Sequence, residues 1–122
     1  MSSGRQRVGL GRQGEELAVQ ELQRRGYEIV ARNWRCALGE ADIIARRGPV
    51  WAFVEVRTRR GATFGLPEES ITPRKRARMM AVAERYIAEH GLWEAEGRLM
   101  VVAVVMDRAG HLQRLEVLEV EG

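Results

Sequence analysis

Apolar residues recur at helical spacing in the first part of the chain. Leu17, Ala18 and Leu22 lie on one side of a helix drawn over residues 11–25, and Gly26 follows as a C-terminal stop. The residues before them, 1–10, are small, polar and basic, with no periodicity. We therefore predict a flexible basic arm over residues 1–10, a first helix after it, and a single domain over residues 11–122.

The next part of the chain has short apolar runs that are typical of strands. We predict strands at Tyr27–Ala31, Ala41–Arg46 and Val50–Arg57. A connection over Asn33–Leu38 joins the first of them to the second. Gly48 and Pro49 lie at the centre of the turn between the last two, which predicts a hairpin. Apolar residues are nearly continuous along this hairpin, so we expect it to be covered on both faces.

A second helix and two more strands follow a loop over residues 58–70. Thr72 suits the N-cap and Pro73 the first helical position, and His90 marks the end. The apolar stripe of this helix is predicted at Ala77, Met80, Ala81, Ile87 and Ala88. Strands are predicted at Arg98–Met106 and Leu112–Val120. The order of elements predicts an α/β fold with a mixed central sheet flanked by helices.

Composition excludes several classes of protein. The longest apolar stretch, Leu99–Met106, is far shorter than the roughly 20 residues that cross a bilayer, and no signal-peptide pattern opens the chain. We therefore expect a cytoplasmic protein with no membrane partner. Cys36 is the single cysteine, so an intramolecular disulfide and a cysteine-based metal cluster are excluded. We interpret Cys36 as a small packed hydrophobe.

Positive charge is concentrated in the middle of the chain. The net charge is only +3, but the cations gather in two groups, Arg57, Arg59 and Arg60, and Arg74, Lys75, Arg76 and Arg78. The second group lies in the first turn of the second helix, where the helix dipole is already positive and added cations are unfavourable. A bound phosphate would remove that penalty. A solvated basic face is the alternative, and the pattern alone leaves both open.

Two acids of the hairpin carry the candidate chemistry. Around a turn centred on Gly48 and Pro49, Asp42 is expected to face Glu55, and Glu40 to face Arg57. Like charges at directly opposed positions destabilise a sheet unless something compensates them. Mg²⁺ or Mn²⁺ would do so, because both ions prefer carboxylate oxygens and keep several waters. The alternative is that these acids lie on a solvated sheet face.

Several separated motifs resemble one family of bacterial proteins. They are Gly11-Arg-Gln-Gly-Glu15-Glu-Leu-Ala18 with Gly26-Tyr27, Arg32-Asn-Trp-Arg35, Gly39-Glu-Ala-Asp42-Ile-Ile-Ala45, Phe53-Val-Glu55-Val-Arg57-Thr-Arg59, and Phe64-Gly-Leu-Pro67 followed by Lys75. In order and spacing they resemble the YraN-like family, within the PD-(D/E)XK nuclease superfamily that includes archaeal Holliday-junction resolvases. The resemblance implies a restriction-endonuclease-like core, αβββαβ.

The same resemblance implies roles for individual residues. Asp42 would be the first metal-binding acid, Glu55 the second and Glu15 a third, with the Val56 carbonyl as a further ligand. The chain departs from the superfamily pattern at Arg57, where a lysine is usual, and at Met100, where family members tend to have an acid. Arginine binds phosphate but does not lose its proton at working pH. Lys75, in the second helix, is a candidate replacement for the missing lysine.

The expected function is metal-dependent cleavage of DNA phosphodiesters, with Mg²⁺ or Mn²⁺ as cofactor. Asp42, Glu55, Arg57 and Lys75 are the catalytic candidates. The backbone of the nucleic acid, DNA rather than RNA, is expected to contact Arg57, Arg59, Arg60, Arg74, Lys75 and Arg78. Branched and single-stranded DNA are the substrates that the resemblance suggests, and a homodimer is compatible with the same analogy. The alternatives are a catalytically impaired nuclease fold that binds nucleic acid without cutting it, and an interaction domain of a larger complex.

The three tryptophans offer a further, weaker signal. Trp34, Trp51 and Trp93 have the side chain on which single-stranded bases stack. Packing at the core or its rim is the simpler interpretation for all three. Trp34, beside Asn33 and Arg35, is the best stacking candidate.

Overall fold

The computed structural model describes residues 3–61 and 71–120, with side chains described from residue 11 onward. These residues form, in chain order, α1 (Ser3–Arg24), β1 (Glu28–Cys36), β2 (Gly39–Arg47), β3 (Val50–Arg60), α2 (Pro73–Glu89), β4 (Glu96–Met106) and β5 (Leu112–Val120). The predicted α/β fold is confirmed, and the arrangement is consistent with a restriction-endonuclease-like core. Neither helix contains a segment apolar and long enough to span a bilayer. The Phe64–Pro67 motif lies outside the described residues.

The five strands form one mixed sheet in the order β1-β2-β3-β4-β5. β3 and β4 are parallel, and the other neighbours are antiparallel. The parallel pair follows from α2, which returns the chain along the sheet between these two strands. The predicted hairpin register is confirmed where β2 and β3 pair, from Arg47 opposite Val50 to Ile43 opposite Val54.

Some predicted boundaries were wrong. α1 begins at Ser3, eight residues before the predicted start at Gly11, in a segment with no apolar periodicity to reveal it. β1 continues to Cys36 through the predicted connection over residues 33–38, because this polar segment pairs with the start of β2, Cys36 opposite Gly39. β3 extends to Arg60, since its second half pairs with β4.

The core has one layer on each face of the sheet. Ile43 packs in the cluster that α1 covers, and its neighbour Ile44 packs in the cluster that α2 covers. The prediction that both faces of the hairpin are covered is therefore confirmed. α2 begins as predicted, with the Thr72 hydroxyl accepting a hydrogen bond from the Lys75 N–H at 3.1 Å.

The predicted stripe of α2 was wrong apart from Ile87, which packs partly buried against the cluster that α2 covers. The residues that α2 buries are Met79, Val82, Ala83 and Tyr86, whereas Met80 is exposed. Both sets have helical spacing, but the buried set includes Tyr86, whose ring packs against Trp34 and Phe53 of the sheet.

An aromatic cluster fixes α2 on the sheet. Tyr86 lies at its centre, with ring centroids 5.1 Å from Trp34, 6.0 Å from Trp51 and 5.7 Å from Phe53. Trp34 and Trp51 thus pack at the rim of the core, as predicted. Trp93 does not, because 74% of it is exposed after the end of α2.

Candidate functional site

The candidate site lies where β2 and β3 separate. Their backbone pairing ends at Ile43–Val54. Beyond it, the strands that the structure describes leave β2 paired with β1 and β3 paired with β4. At this point the Val56 N–H donates to Asp42 Oδ2 at 2.8 Å, so a side chain takes the place of a ladder bond. We call the opening bounded by Asp42, Glu55 and Val56 the fork.

The prediction that Asp42 directly faces Glu55 was therefore wrong. The alternation of side chains breaks at this point of β2, because Ala41 and Ile44 both pack in the α2-side cluster although they are three residues apart. The predicted pair of Glu40 with Arg57 was wrong for the same reason. Glu40 instead accepts a hydrogen bond from the Arg35 side chain, at 2.9 Å.

Asp42 is a partly buried acid among other acids. Burial raises the pKa of its carboxyl to about 6, against the lowering effect of the Val56 N–H, and the negative charges of Glu40, Glu55 and Glu15 raise it further. Asp42 is therefore close enough to each of the other two predicted metal-binding acids, Glu55 and Glu15, to feel its charge.

Glu55 contacts α2 as well as its own strand. Lys75 Nζ lies 3.0 Å from Glu55 Oε1, and Arg57 Nε lies 3.3 Å from Glu55 Oε2. Glu55 Oε2 and Arg57 Nε are both buried, and neither makes a hydrogen bond of good geometry among the described residues. The structure thus brings Lys75 to the hairpin acid from a separate element, as the sequence-based hypothesis requires.

Glu15 reaches the site because α1 lies very close to β3. A Cβ placed on Gly14 would be 2.0 Å from Thr58 Oγ1, so only glycine allows this approach. The next residue, Glu15, accepts hydrogen bonds on Oε1 from Arg32 Nε at 3.0 Å and from Asn33 Nδ2 at 3.2 Å. Only 14% of its side chain is exposed.

A groove beside α1 contains part of this site, whereas Glu55 lines a separate cavity against α2. Glu15 and Asp42 line the groove together with Arg57, so Arg57 connects the Lys75–Glu55 pair to the other two acids. Three further polar residues of the wall were not among the predicted site residues: Arg12, Asn33 and Arg35. The signal for them was present, because all three lie in the motifs that carry the family resemblance. Their segments were interpreted only as helix and connection.

The predicted nucleic-acid contacts divide into two groups. Arg57 and Arg59 line the groove, and Lys75 lies at the fork. Arg60 instead approaches the β4–β5 turn, where its Nη2 is 3.7 Å from the position of a Cβ on Gly110. Arg74 is exposed at the start of α2, and the side chain of Arg78 packs against Gly39.

A divalent cation fits the site by its donor chemistry. The candidate ligands are oxygen atoms. Asp42 lies among like charges, and Glu55 has a buried oxygen with no hydrogen-bond partner in the described part of the chain. Within residues 11–61 and 71–120, however, no three acidic, histidine or cysteine side chains are already grouped as a metal-binding set. The acids are instead compensated by Arg32, Arg57 and Lys75.

The raised pKa of Asp42 predicts a pH-dependent stability. This carboxyl loses its proton near pH 3.8 in the unfolded chain and near pH 6 in the folded protein. Between these values the folded state holds a proton that the unfolded state has lost, so the free energy of unfolding should fall as the pH rises through this range. Asp42→Asn should remove the fall, which we expect to be on the order of 1–2 kcal/mol after allowance for solvent screening.

Urea unfolding of the metal-free parent and Asp42→Asn proteins at about pH 4 and about pH 8 measures this effect. The variant should gain stability relative to the parent only at the higher pH. An equal difference in unfolding free energy at both pH values would contradict the assignment.

Comparison with known proteins identifies the family. Residues 14–104 match the model of the uncharacterised protein family UPF0102. Among similar proteins, a UPF0102 protein of Pelotomaculum thermopropionicum is 46% identical over 110 residues, covering 90% of this chain and 92% of its own. A UPF0102 protein of Roseiflexus castenholzii is 52% identical over 99 residues, 80% of each chain.

A third relative, a UPF0102 protein of Nocardia farcinica, is 52% identical over 98 residues, 80% of this chain and 76% of its own. The names of these relatives state no activity. The match confirms the resemblance to the YraN-like family that the motifs indicated. The chain belongs to the uncharacterised protein family UPF0102.

Proposed function

We propose that this protein is a metal-dependent endonuclease that hydrolyses DNA phosphodiesters at the fork. One observation carries the proposal: Asp42, whose pKa Glu55 and Glu15 help to raise, lines a groove with Arg57, and Arg57 lies beside the ion pair of Glu55 with Lys75. Acids that hold a cation, next to guanidinium and ammonium groups that bind phosphate, form a set suited to phosphodiester hydrolysis.

Asp42, Glu55 and Glu15 would hold Mg²⁺ or Mn²⁺, with the Val56 carbonyl as a further ligand. The ion would lower the pKa of a bound water and neutralise charge that develops on the phosphate. The Val56 N–H holds Asp42 in place, since it bonds one carboxylate oxygen at 2.8 Å. Asn33 and Arg32 hold Glu15 in the same manner.

Arg57 and Lys75 together would replace the lysine that the superfamily pattern has at the position of Arg57. The planar guanidinium group of Arg57 offers several N–H donors to phosphate oxygens and keeps its positive charge. Lys75 supplies a compact ammonium group, which lies 3.0 Å from Glu55 and would contribute positive charge beside the phosphate. Arg59, Arg12 and Arg35 line the groove and would bind flanking phosphates without reading sequence.

Removal of Lys75 tests this replacement. Lys75→Gln should lower the cleavage rate about 100-fold, because it removes a positive charge that acts on the phosphate. Adding Arg57→Lys should restore part of the rate, since a lysine then stands at the position that the superfamily pattern uses. Arg57→Lys in the parent background is the control. Single-turnover cleavage rates on one substrate are compared for the parent, the two single variants and the double variant. A double variant that cleaves more slowly than Lys75→Gln alone would contradict the proposal that a lysine at position 57 is able to replace Lys75.

The second candidate function is binding of nucleic acid without cleavage. It is favoured by the ion pairs that already compensate Glu15 and Glu55, and by the absence of a grouped three-ligand set among the described residues. Incubation with flap, four-way-junction, single-stranded and duplex DNA, with matched RNAs, in Mn²⁺, Mg²⁺ and chelator decides between the two. The endonuclease should give metal-dependent products from at least one DNA. Binding to these substrates with no product in either metal would refute the endonuclease and support the binding module.

A further inference from the structure

Asn33 has an unusual backbone for a residue inside a strand. Its φ is 53°, and it is the only non-glycine residue with a positive φ in the described part of the chain. The left-handed region is sterically unfavourable for residues with a Cβ, and asparagine tolerates it better than most. Backbone conformations of this kind concentrate at functional sites, where surrounding contacts hold them.

The position of Asn33 in the sheet explains why its conformation matters. Arg32 is opposite Ile43 and Trp34 is opposite Ala41, so this register places Asn33 opposite Asp42. That pair is missing from the ladder. Asp42 therefore lacks regular backbone pairing with both neighbouring strands, toward β1 at Asn33 and toward β3 at Glu55.

The side chain of Asn33 links this irregular point to α1. Asn33 Nδ2 donates to Glu15 Oε1 at 3.2 Å, and Asn33, Glu15 and Asp42 line the same groove. Arg32 donates to the same oxygen but also binds Glu16, at 2.7 Å, and it brings a full positive charge. Asn33 differs because its neutral amide orients the carboxylate without adding a second positive charge beside it.

We infer that Asn33 is a positioning residue, which sets Glu15 on α1 relative to Asp42 on β2 and uses its left-handed backbone to do so. The inference rests on the proposed function, since it concerns the cation that Glu15 and Asp42 would share. Asn33 acts through Glu15 and is not assigned a contact with the cation or the substrate.

Asn33→Gly separates positioning from a structural role. Glycine adopts the left-handed conformation without steric cost, so the metal-free variant should melt at the same temperature as the parent or higher. Loss of the amide should lower the affinity for Mn²⁺ about 10- to 100-fold, the effect usual for partners that orient a metal ligand. Electron paramagnetic resonance of free Mn²⁺ during a titration measures this affinity without any cleavage.

A double-mutant cycle with Glu15→Ala shows whether Asn33 acts through Glu15. Without Glu15, adding Asn33→Gly should cause no further loss of Mn²⁺ affinity. An equal loss in both backgrounds, or parental affinity in Asn33→Gly, would overturn the inference. If the parent binds and cleaves with Mn²⁺ while Asn33→Gly matches it, only the inference fails. If the parent binds no Mn²⁺, the proposed metal site fails and the inference with it.

Discussion

Asp42→Asn should lose nuclease activity, by a factor of about 1000 or more, while it binds DNA at least as tightly as the parent. The loss is expected because the variant lacks the central acid of the proposed metal set. Binding should be retained or strengthened because a negative charge is removed from a surface that meets phosphates. The fold should persist, since the asparagine oxygen is still able to accept the Val56 N–H that Asp42 accepts at 2.8 Å.

Cleavage and binding are best measured on the same labelled substrate, with binding assayed in Ca²⁺ or chelator. Glu116→Gln is the matched control, because it makes the same change of charge on β5, where Glu116 pairs with Arg114 at 2.8 Å. The control should cleave at the parental rate. An Asp42→Asn protein that cuts as fast as the parent would refute the role of Asp42.

Gly14→Ala should destabilise the protein by about 1–3 kcal/mol, the usual cost of overpacking. The added methyl group would lie 2.0 Å from Thr58 Oγ1 and 3.1 Å from Thr58 Cβ, so α1 must move away from β3. Because Glu15 is the next residue, this movement should also weaken cleavage. Chemical denaturation measures the stability, and the cleavage assay measures the displacement of Glu15.

Two variants make this prediction specific. Gly11→Ala introduces the same methyl group on the same helix, where no described residue lies within 4 Å, and should stabilise the protein by roughly 0.5–1 kcal/mol. Thr58→Ala removes the nearest atom and should recover part of the loss caused by Gly14→Ala. Equal effects of Gly14→Ala and Gly11→Ala would show that the helix–strand approach is not tight.

Much of the fold could be predicted because local chemistry determines it. Gly48 and Pro49 fix the hairpin turn, and the register next to the turn follows from them. Thr72 and Pro73 fix the start of α2, and the observed hydroxyl–Lys75 hydrogen bond is the interaction that the pattern implies. The bounds of β5, Leu112–Val120, were also predicted correctly.

The fork could not be predicted, because it depends on elements that are remote in sequence. The hairpin register extrapolates to a pair of Asp42 with Glu55, but the pairing of β2 with β1 is interrupted at Asn33, and Lys75 on α2 contacts Glu55. The buried stripe of α2 was missed for a related reason. Which side of that helix is buried depends on Tyr86 fitting between Trp34 and Phe53, and those partners come from two strands.

The separation of β2 from β3 has a practical consequence for ligand discovery. The two strands are joined by five paired positions, which end before Asp42 and Glu55. A ligand held by Asp42 on β2 and Glu55 on β3 would therefore add a connection between the two strands beyond the last pair. A ligand that binds only the folded state raises its stability in proportion to the logarithm of its concentration above the dissociation constant. A thermal-shift screen of metal ions and short oligonucleotides would therefore detect binding even to a protein that cuts nothing, and loss of the shift in Asp42→Asn would assign it to the fork.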